Sequence, residues 1–261
     1  MAAGICFFQG IRMKLSVIII AKNEAAMIAR CLKSVAWAAE IVVLDSGSED
    51  DTVNICRALG AQVEVAADWP GFGPQKNRVL AMAKGEWVLS LDADEWVTAE
   101  LRQEIELVLK SGSSNVAYRM PRLSSYCGRF MHHSGWSPDY VTRLFKRGAA
   151  HFSDDLVHER LIVSGPLGTL RQPLLHETLR DLEQLLKKIN QYSSAGAQMM
   201  AARGKRSSLA TAIGHGVWTF FRTYFVRAGF LDGREGFMLA VSNAEETYYR
   251  YLKLMLLTGK K

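Results

Sequence analysis

Cysteine is scarce in this chain: four residues in 261, Cys6, Cys31, Cys56 and Cys127, with neither the close pairing of a zinc site nor the density of a secreted disulfide scaffold. Reduced thiols in a cytosolic setting are therefore expected. Long apolar runs are missing as well, since His215 and Arg222 interrupt the most apolar part of the tail and leave it short of the roughly 20 residues a membrane span needs. The opening Met1–Ile11 is apolar but short, with no basic leader and no convincing cleavage site, so it reads poorly as a secretory signal; Met13 is a second candidate start. Internal repeats and low-complexity tracts are absent. Finally, no glycine-rich phosphate loop follows the first apolar run, where Ala21-Lys22-Asn23-Glu24 stands instead. That counts against a nucleotidyltransferase.

What is present suffices for one sizeable core. At 261 residues and 49% hydrophobic, the chain sits near the upper limit of a single α/β domain, so one catalytic domain with an appendage is expected. A formal net charge of +6 favours an anionic partner: a nucleotide, a phosphorylated acceptor, an acidic membrane surface or nucleic acid. Composition does not choose among them.

Leu15 to Ala21 is a β-branched run without alternation, the signature of a central strand buried on both faces of a parallel sheet. Apolar positions then recur at helical spacing through Met27, Ile28, Cys31, Leu32 and Val35. The unit repeats: a strand over 40–44, a loop Asp45-Ser46-Gly47-Ser48, a helix over 52–59, a strand over 62–65. After the Gly/Pro-rich loop 70–74, the pattern predicts a helix over 75–83 and a strand over 87–91. Strands alternating with helices imply a doubly wound, mostly parallel sheet flanked by helices. From Ala117 to Ile162 short strands and loops rich in Arg, His and aromatics are expected to build the acceptor side of a cleft, and 181–202 is again helical. The predicted division is a catalytic domain over 13–178 and a C-terminal helical region over 179–261.

Ligands of open α/β sheets bind beyond the carboxyl ends of the strands, where the sequence puts Asp45 and Asp92. Asp92 and Asp94, one small residue apart, suit a hard divalent cation such as Mg²⁺ or Mn²⁺, which takes its remaining ligands from phosphate and water. The same spacing also suits a solvated acidic turn or a helix start; the strand-end position favours the first reading. Glu95 either serves the outer shell of that cation or starts a helix.

The ordered set Ser16-Val17-Ile18-Ile19-Ile20-Ala21-Lys22-Asn23-Glu24, Asp45-Ser46-Gly47-Ser48-Glu49-Asp50-Asp51-Thr52, Gln75-Lys76-Asn77 and Asp92-Ala93-Asp94-Glu95 resembles family 2 glycosyltransferases of the GT-A fold. Gly135-Trp136, Arg143-Leu144-Phe145, Val157-His158-Glu159 and Gly229-Phe230-Leu231-Asp232-Gly233 extend the resemblance to the branch that includes the lipopolysaccharide core heptose β-1,4-glucosyltransferases. The resemblance implies an inverting transfer from a UDP-sugar, with glucose the favoured sugar, onto a lipopolysaccharide inner-core or other lipid-linked acceptor at the inner face of the inner membrane, and no nucleic-acid partner. A glycosyltransferase of another cell-envelope glycan is the alternative. It further implies that Ala21, Asn23 and Glu24 help hold the nucleotide, that Asp45 faces uracil or ribose, and that Asp92 and Ala93 lie against the donor. Lys76 and Arg78 are candidates for phosphate, with Gln75 and Asn77 beside them.

An inverting transfer needs a base opposite the departing diphosphate. By resemblance Glu159 is expected in that role, with Asp155 next and His158 as an orienting or binding residue. His176 is a candidate to complete the metal shell. His132, His133, Trp136, Asp139 and Arg143 are acceptor-side candidates. In the tail, Ile213, Val217, Trp218, Phe220, Phe221, Tyr224 and Phe225 with Lys205, Arg206, Arg222 and Arg227 fit either an interfacial helix on anionic lipid or ordinary packing on the domain.

Overall fold

In the computed structural model, which describes residues 15–153, 159–179 and 182–259, the non-alternating runs of the sequence become the middle of a sheet. Strand β1 (Leu15–Ala21) pairs in parallel with β2 (Glu40–Asp45), and β2 with β3 (Gln62–Val65). β4 (Trp87–Asp92) lies parallel to β1 on its other side. Helices α1 (Ile28–Ser34), α2 (Thr52–Ala58) and α3 (Phe72–Met82) connect them, as βα units require. Helix α3 begins earlier than the 75–83 pattern implies: Gly71 (φ +116°) turns the chain, and Pro74 sits in the first turn, where no backbone donor is missed.

Because side chains alternate across a strand, the sheet feeds two cores. Val17, Ile19, Val43, Leu89 and Leu91 share one with Ile28, Cys31 and Leu32 of α1 and with Leu101, Ile105 and Leu109 of α4 (Ala99–Lys110). Ile18, Val42, Leu44 and Val88 share the other with Val79, Phe145 and Phe152. α4 presents its apolar residues at every fourth position and is capped by Thr98, whose hydroxyl accepts from Leu101 N at 3.1 Å; burial of each such side chain stabilises the fold by about 1.5–3 kcal/mol.

Between β4 and α4 lies a three-residue strand, β5 (Glu95–Val97). After α4 come β6 (Ala117–Tyr126), β7 (Arg129–Phe130), β8 (Asp139–Lys146), β9 (Ala150–Phe152), β10 (Leu161–Val163), β11 (Leu167–Thr169) and β12 (Leu174–Leu179). The sheet order is β3-β2-β1-β4-β8-β6-β12-β5, with β7 and β11 alongside β6 and β9–β10 as a separate pair. β8 runs antiparallel to β4 and β12 antiparallel to β5. The expected mostly parallel sheet thus holds for β1 to β4, and the second half makes it mixed.

The chain forms two compact units. One comprises the described residues to Arg122 with Tyr140–His176, the other Leu123–Asp139 with the chain from Glu177 onward. In the second, α5 (Leu182–Ala202), α6 (Leu209–Phe221), a π turn (Arg222–Val226), a 3-10 turn (Gly229–Asp232) and α7 (Gly233–Thr258) surround a small core of Tyr126, Met131, Leu185, Ile189 and Leu239. Buried Asp232 accepts from the backbone N–H groups of His132 and His133 and from the Ser134 hydroxyl, each at 3.0 Å. Among the described residues no helix is long and apolar enough to cross a membrane.

Candidate active site

Parallel register sets the rim. Ala21 is level with Asp45 and Ile20 with Asp92, so β1, β2 and β4 deliver their carboxyl ends to one edge. The loops leaving β1 and β2 are laced together there. Asn23 N–H donates to Ser48 Oγ at 2.8 Å, Glu24 N–H to Thr52 Oγ1 at 2.8 Å, and Ala25 N–H to Asp50 Oδ2 at 3.0 Å. In return Glu49 N–H donates to Asn23 Oδ1 at 2.8 Å. Asn23 adopts φ +56°, a left-handed conformation asparagine tolerates better than most residues.

Asp45 is fully buried, and its carboxylate turns back onto its own loop, accepting from Gly47 N–H at 3.0 Å and Ser48 N–H at 2.8 Å. Ser46 joins the rim to α3 by accepting from Gln75 Nε2 at 3.0 Å, while its N–H donates to Ala21 O at 2.8 Å. The fold therefore brings Ala21, Asn23, Glu24, Asp45 and Gln75 together, with Asp45 engaged in closing its loop. Arg78 sits at the edge of this group, donating to Gln75 Oε1 at 3.2 Å and to Asp68 at 2.7 Å in an exposed pair. Asn77 is structural, its amide exchanging hydrogen bonds with Phe152 N–H (2.9 Å) and O (2.8 Å) in the manner of a strand neighbour.

Lys76 is buried and turns inward. Its ammonium bridges Asp92 Oδ1 at 3.0 Å and Glu159 Oε1 at 2.9 Å. The other Asp92 oxygen pairs with Arg143, whose guanidinium also donates to Glu95 Oε1 at 2.6 Å. Glu95 is fully buried on β5, accepts from Asp92 N–H at 3.0 Å through its second oxygen and lies 3.5 Å from Arg122. The helix-start expectation for Glu95 does not hold, because α4 starts beyond Thr98; Glu95 instead holds Arg143, which holds Asp92. Burial pushes the Asp92 carboxyl up, but Arg143 and Lys76 outweigh it and hold the group well below the usual carboxylate range. For Glu95 burial dominates and raises the carboxyl, with Asp92 adding to the rise and Arg143 opposing it.

Asp94 takes a different partner. Its Oδ2 lies 3.3 Å from His176 Nε2, because β12 pairs His176 opposite Glu95 on β5. Among the described residues no three His, Cys, Asp or Glu side chains converge as a ready metal cage. A carboxylate oxygen and an imidazole nitrogen at this separation nevertheless suit adjacent positions on one Mg²⁺ or Mn²⁺ ion, a cation that ordinarily takes few protein ligands and completes its shell with phosphate and water.

An open cleft of about 790 Å³ is lined by Lys76, Asp92, Arg143 and Glu159 and also by Arg122, Tyr140, Phe152 and Arg160. Arg122, Tyr140, Phe152 and Arg160 are among the lining residues that sequence reasoning missed; the available signal was the density of arginine and aromatics between 117 and 162. Of the acceptor-side candidates, Arg143 lines the cleft, whereas His133 Nδ1 meets Asp232 at 3.2 Å and Trp136 packs edge-on to Tyr126. Asp155 and His158 lie outside the described residues.

Residues 16–170 match the model of glycosyl transferase family 2. An uncharacterized glycosyltransferase of Rickettsia prowazekii is 34% identical, covering 95% of this chain and 88% of that one. The lipopolysaccharide core biosynthesis glycosyltransferase LpsC of Rhizobium meliloti is 28% identical, covering 92% of this chain and 94% of that one. Among solved structures, glucosyl-3-phosphoglycerate synthase from Mycobacterium tuberculosis, crystallised with Mn²⁺, UDP and glucosyl-3-phosphoglycerate, is 20% identical with a TM-score of 0.46, covering 71% of this chain and 80% of that one. The chain belongs to glycosyl transferase family 2 and is a glycosyltransferase.

Proposed function

We propose that the cleft performs an inverting transfer of a hexose, with glucose from UDP-glucose the favoured donor, onto a hydroxyl of the lipopolysaccharide inner core at the inner face of the inner membrane. The observation that carries this reading is Lys76, a buried cation held between the strand-end Asp92 and Glu159 in a cleft at the carboxyl edge of a parallel sheet. In the reaction the acceptor oxygen attacks the anomeric carbon, the bond from that carbon to the diphosphate oxygen breaks, and Glu159 takes the acceptor's proton. Lys76 fixes one oxygen of Glu159 at 2.9 Å and so orients the base. Arg143 Nε–H, buried and without an acceptor among the described residues, and the third N–H of Lys76 are donors available to an anionic diphosphate.

Asp94 and His176 would hold Mg²⁺ or Mn²⁺, whose charge would offset that of the departing diphosphate. The laced loops around Asn23 and Ser48 would present the nucleotide side, with Ala21, Glu24 and the Asp45 loop shaping it, and Ala93 the short link between Asp92 and Asp94. The name of LpsC supports the lipopolysaccharide core as acceptor, and the motif set supports the donor.

The test is metal-dependent UDP release from a panel of UDP-sugars, with truncated lipopolysaccharides as acceptors. Turnover is expected with UDP-glucose and is expected to vanish in Asp94→Asn. Wild type and Asp94→Asn behaving identically on every donor would sink the metal-assisted reading. Retained turnover in Glu159→Gln would move the base to Asp155.

A further inference from the structure

We propose that the outer face of α6 and the π turn after it docks on an anionic lipid surface, lying along the bilayer. This deepens the membrane part of the proposal above but does not depend on which sugar the cleft transfers.

The sequence of α6 is sorted inside out. Its small residues, Ala212 and Gly216, with Thr223 of the π turn, are the buried ones. Gly216 sits so close to α7 that an added Cβ would lie 3.2 Å from Tyr248 Cβ, and Thr219 meets Thr247 at 3.3 Å. The large residues face away: Ile213, Val217, Trp218, Phe221, Phe225 and Val226 are each 47–65% exposed. Their main spacing of four residues makes one continuous stripe, in which Trp218 stacks on Phe221 and Phe221 packs on Phe225. A helix whose only apolar face met protein would show the reverse order.

Not every aromatic of the tail belongs to this face. Phe220 and Tyr224 pack against each other and against Phe237 of α7, so they serve the inner side.

Charge selects the occupant. From Arg203 to Leu231 there are five basic residues, Arg203, Lys205, Arg206, Arg222 and Arg227, and no acidic one; all five are exposed. Cations at both ends of an apolar, tryptophan-bearing stripe complement anionic headgroups while the stripe enters the boundary beneath them. A second copy of this chain would bring the same five cations against their like. No described helix can span, so the face lies on the surface.

The experiment is flotation of the full chain with vesicles of phosphatidylglycerol and phosphatidylcholine, or phosphatidylcholine alone, with no nucleotide sugar added. Wild type is expected to float with the anionic vesicles. The double variant W218S/F221S is expected to lose about tenfold or more in partitioning, and K205E/R206E a smaller factor that wild type also loses at high salt. Both variants alter exposed side chains, and an unchanged melting temperature checks that they fold. Equal flotation of wild type and W218S/F221S, or none in wild type, overturns the proposal. So does a vesicle-free dimer that W218S/F221S makes monomeric, which gives the face to a second copy. Because no transfer is measured, either failure leaves the cleft reading standing.

Discussion

The two units break opposite halves of the usual rule that apolar residues go inside and charges outside. The first buries Glu95, Arg143 and Lys76 in its interior. The second leaves Val217, Trp218 and Phe225 more than half exposed on α6. Neither exception serves folding: a buried ion network is a poor source of stability, and an exposed apolar stripe forgoes burial altogether. Departures from local consistency mark positions kept for something other than stability. Here one departure suits an anionic small ligand and the other an extended anionic surface.

The largest expected effect tests the buried half. Glu159→Gln should lower transfer by about 10²–10⁴-fold while leaving UDP-sugar binding intact, measured by UDP release alongside calorimetric titration with donor. Loss of binding in parallel would reassign Glu159 to holding Lys76.

Next comes Arg143→Ala, which leaves fully buried Glu95 and its neighbour Asp92 without their shared cation. A cost of about 3–5 kcal/mol is expected in urea denaturation, whereas Val217→Ala on the exposed stripe should stay within about 0.5 kcal/mol. Similar costs for the two would erase the contrast between the units.

A third variant probes placement rather than charge. A Cβ on Gly73 would lie 1.8 Å from Ser153 O and 3.6 Å from Glu159 Cβ. Gly73→Ala must therefore push the chain around 153 and Glu159 away from Lys76. Its kcat should fall at least about tenfold, with a far smaller change in the donor's binding constant.

The smallest effect is alkaline. Burial, with Asp45 adding to it, pushes the Cys56 thiol up to about 11, against about 8.5 for a free thiol. The unfolded chain then loses its proton first, so stability falls as pH rises from about 8.5 toward 11. Cys56→Ala should flatten that slope in urea titrations across the same range, while Val217→Ala leaves it unchanged.

Much of this was legible in the sequence for a physical reason. Strands β1, β2 and β4 are buried on both faces, so their identity is written locally in runs such as Val17-Ile18-Ile19-Ile20, and the crevice follows from their ends. β5 was not legible. Three residues, Glu95-Trp96-Val97, carry no period, and only pairing with β12, some eighty positions later, makes them a strand. Without β5, the sequence leaves Glu95 between a cation's outer shell and a helix start, and the chain from Glu95 through Arg143 to Asp92 is not visible in it. For Asp45 and Arg78 the sequence gives a place at the rim but not a side-chain direction, which depends on Gly47, Ser48 and Asp68. In the tail, the apolar set was clear, but dividing Phe220 and Tyr224 from Trp218 and Phe221 required knowing where α7 lies.

The lacing of the loops after β1 and β2 bears on how this rim could be re-engineered. Asn23, Glu24 and Ala25 give their N–H groups to side chains of Ser48, Thr52 and Asp50, and Glu49 gives its own to Asn23. Replacing 45–52 alone would remove the side-chain acceptors of the Asn23, Glu24 and Ala25 N–H groups, and replacing 21–25 alone would remove Asn23 Oδ1, the acceptor of Glu49 N–H. The two segments are one inheritable module, and a graft at this rim has to carry both.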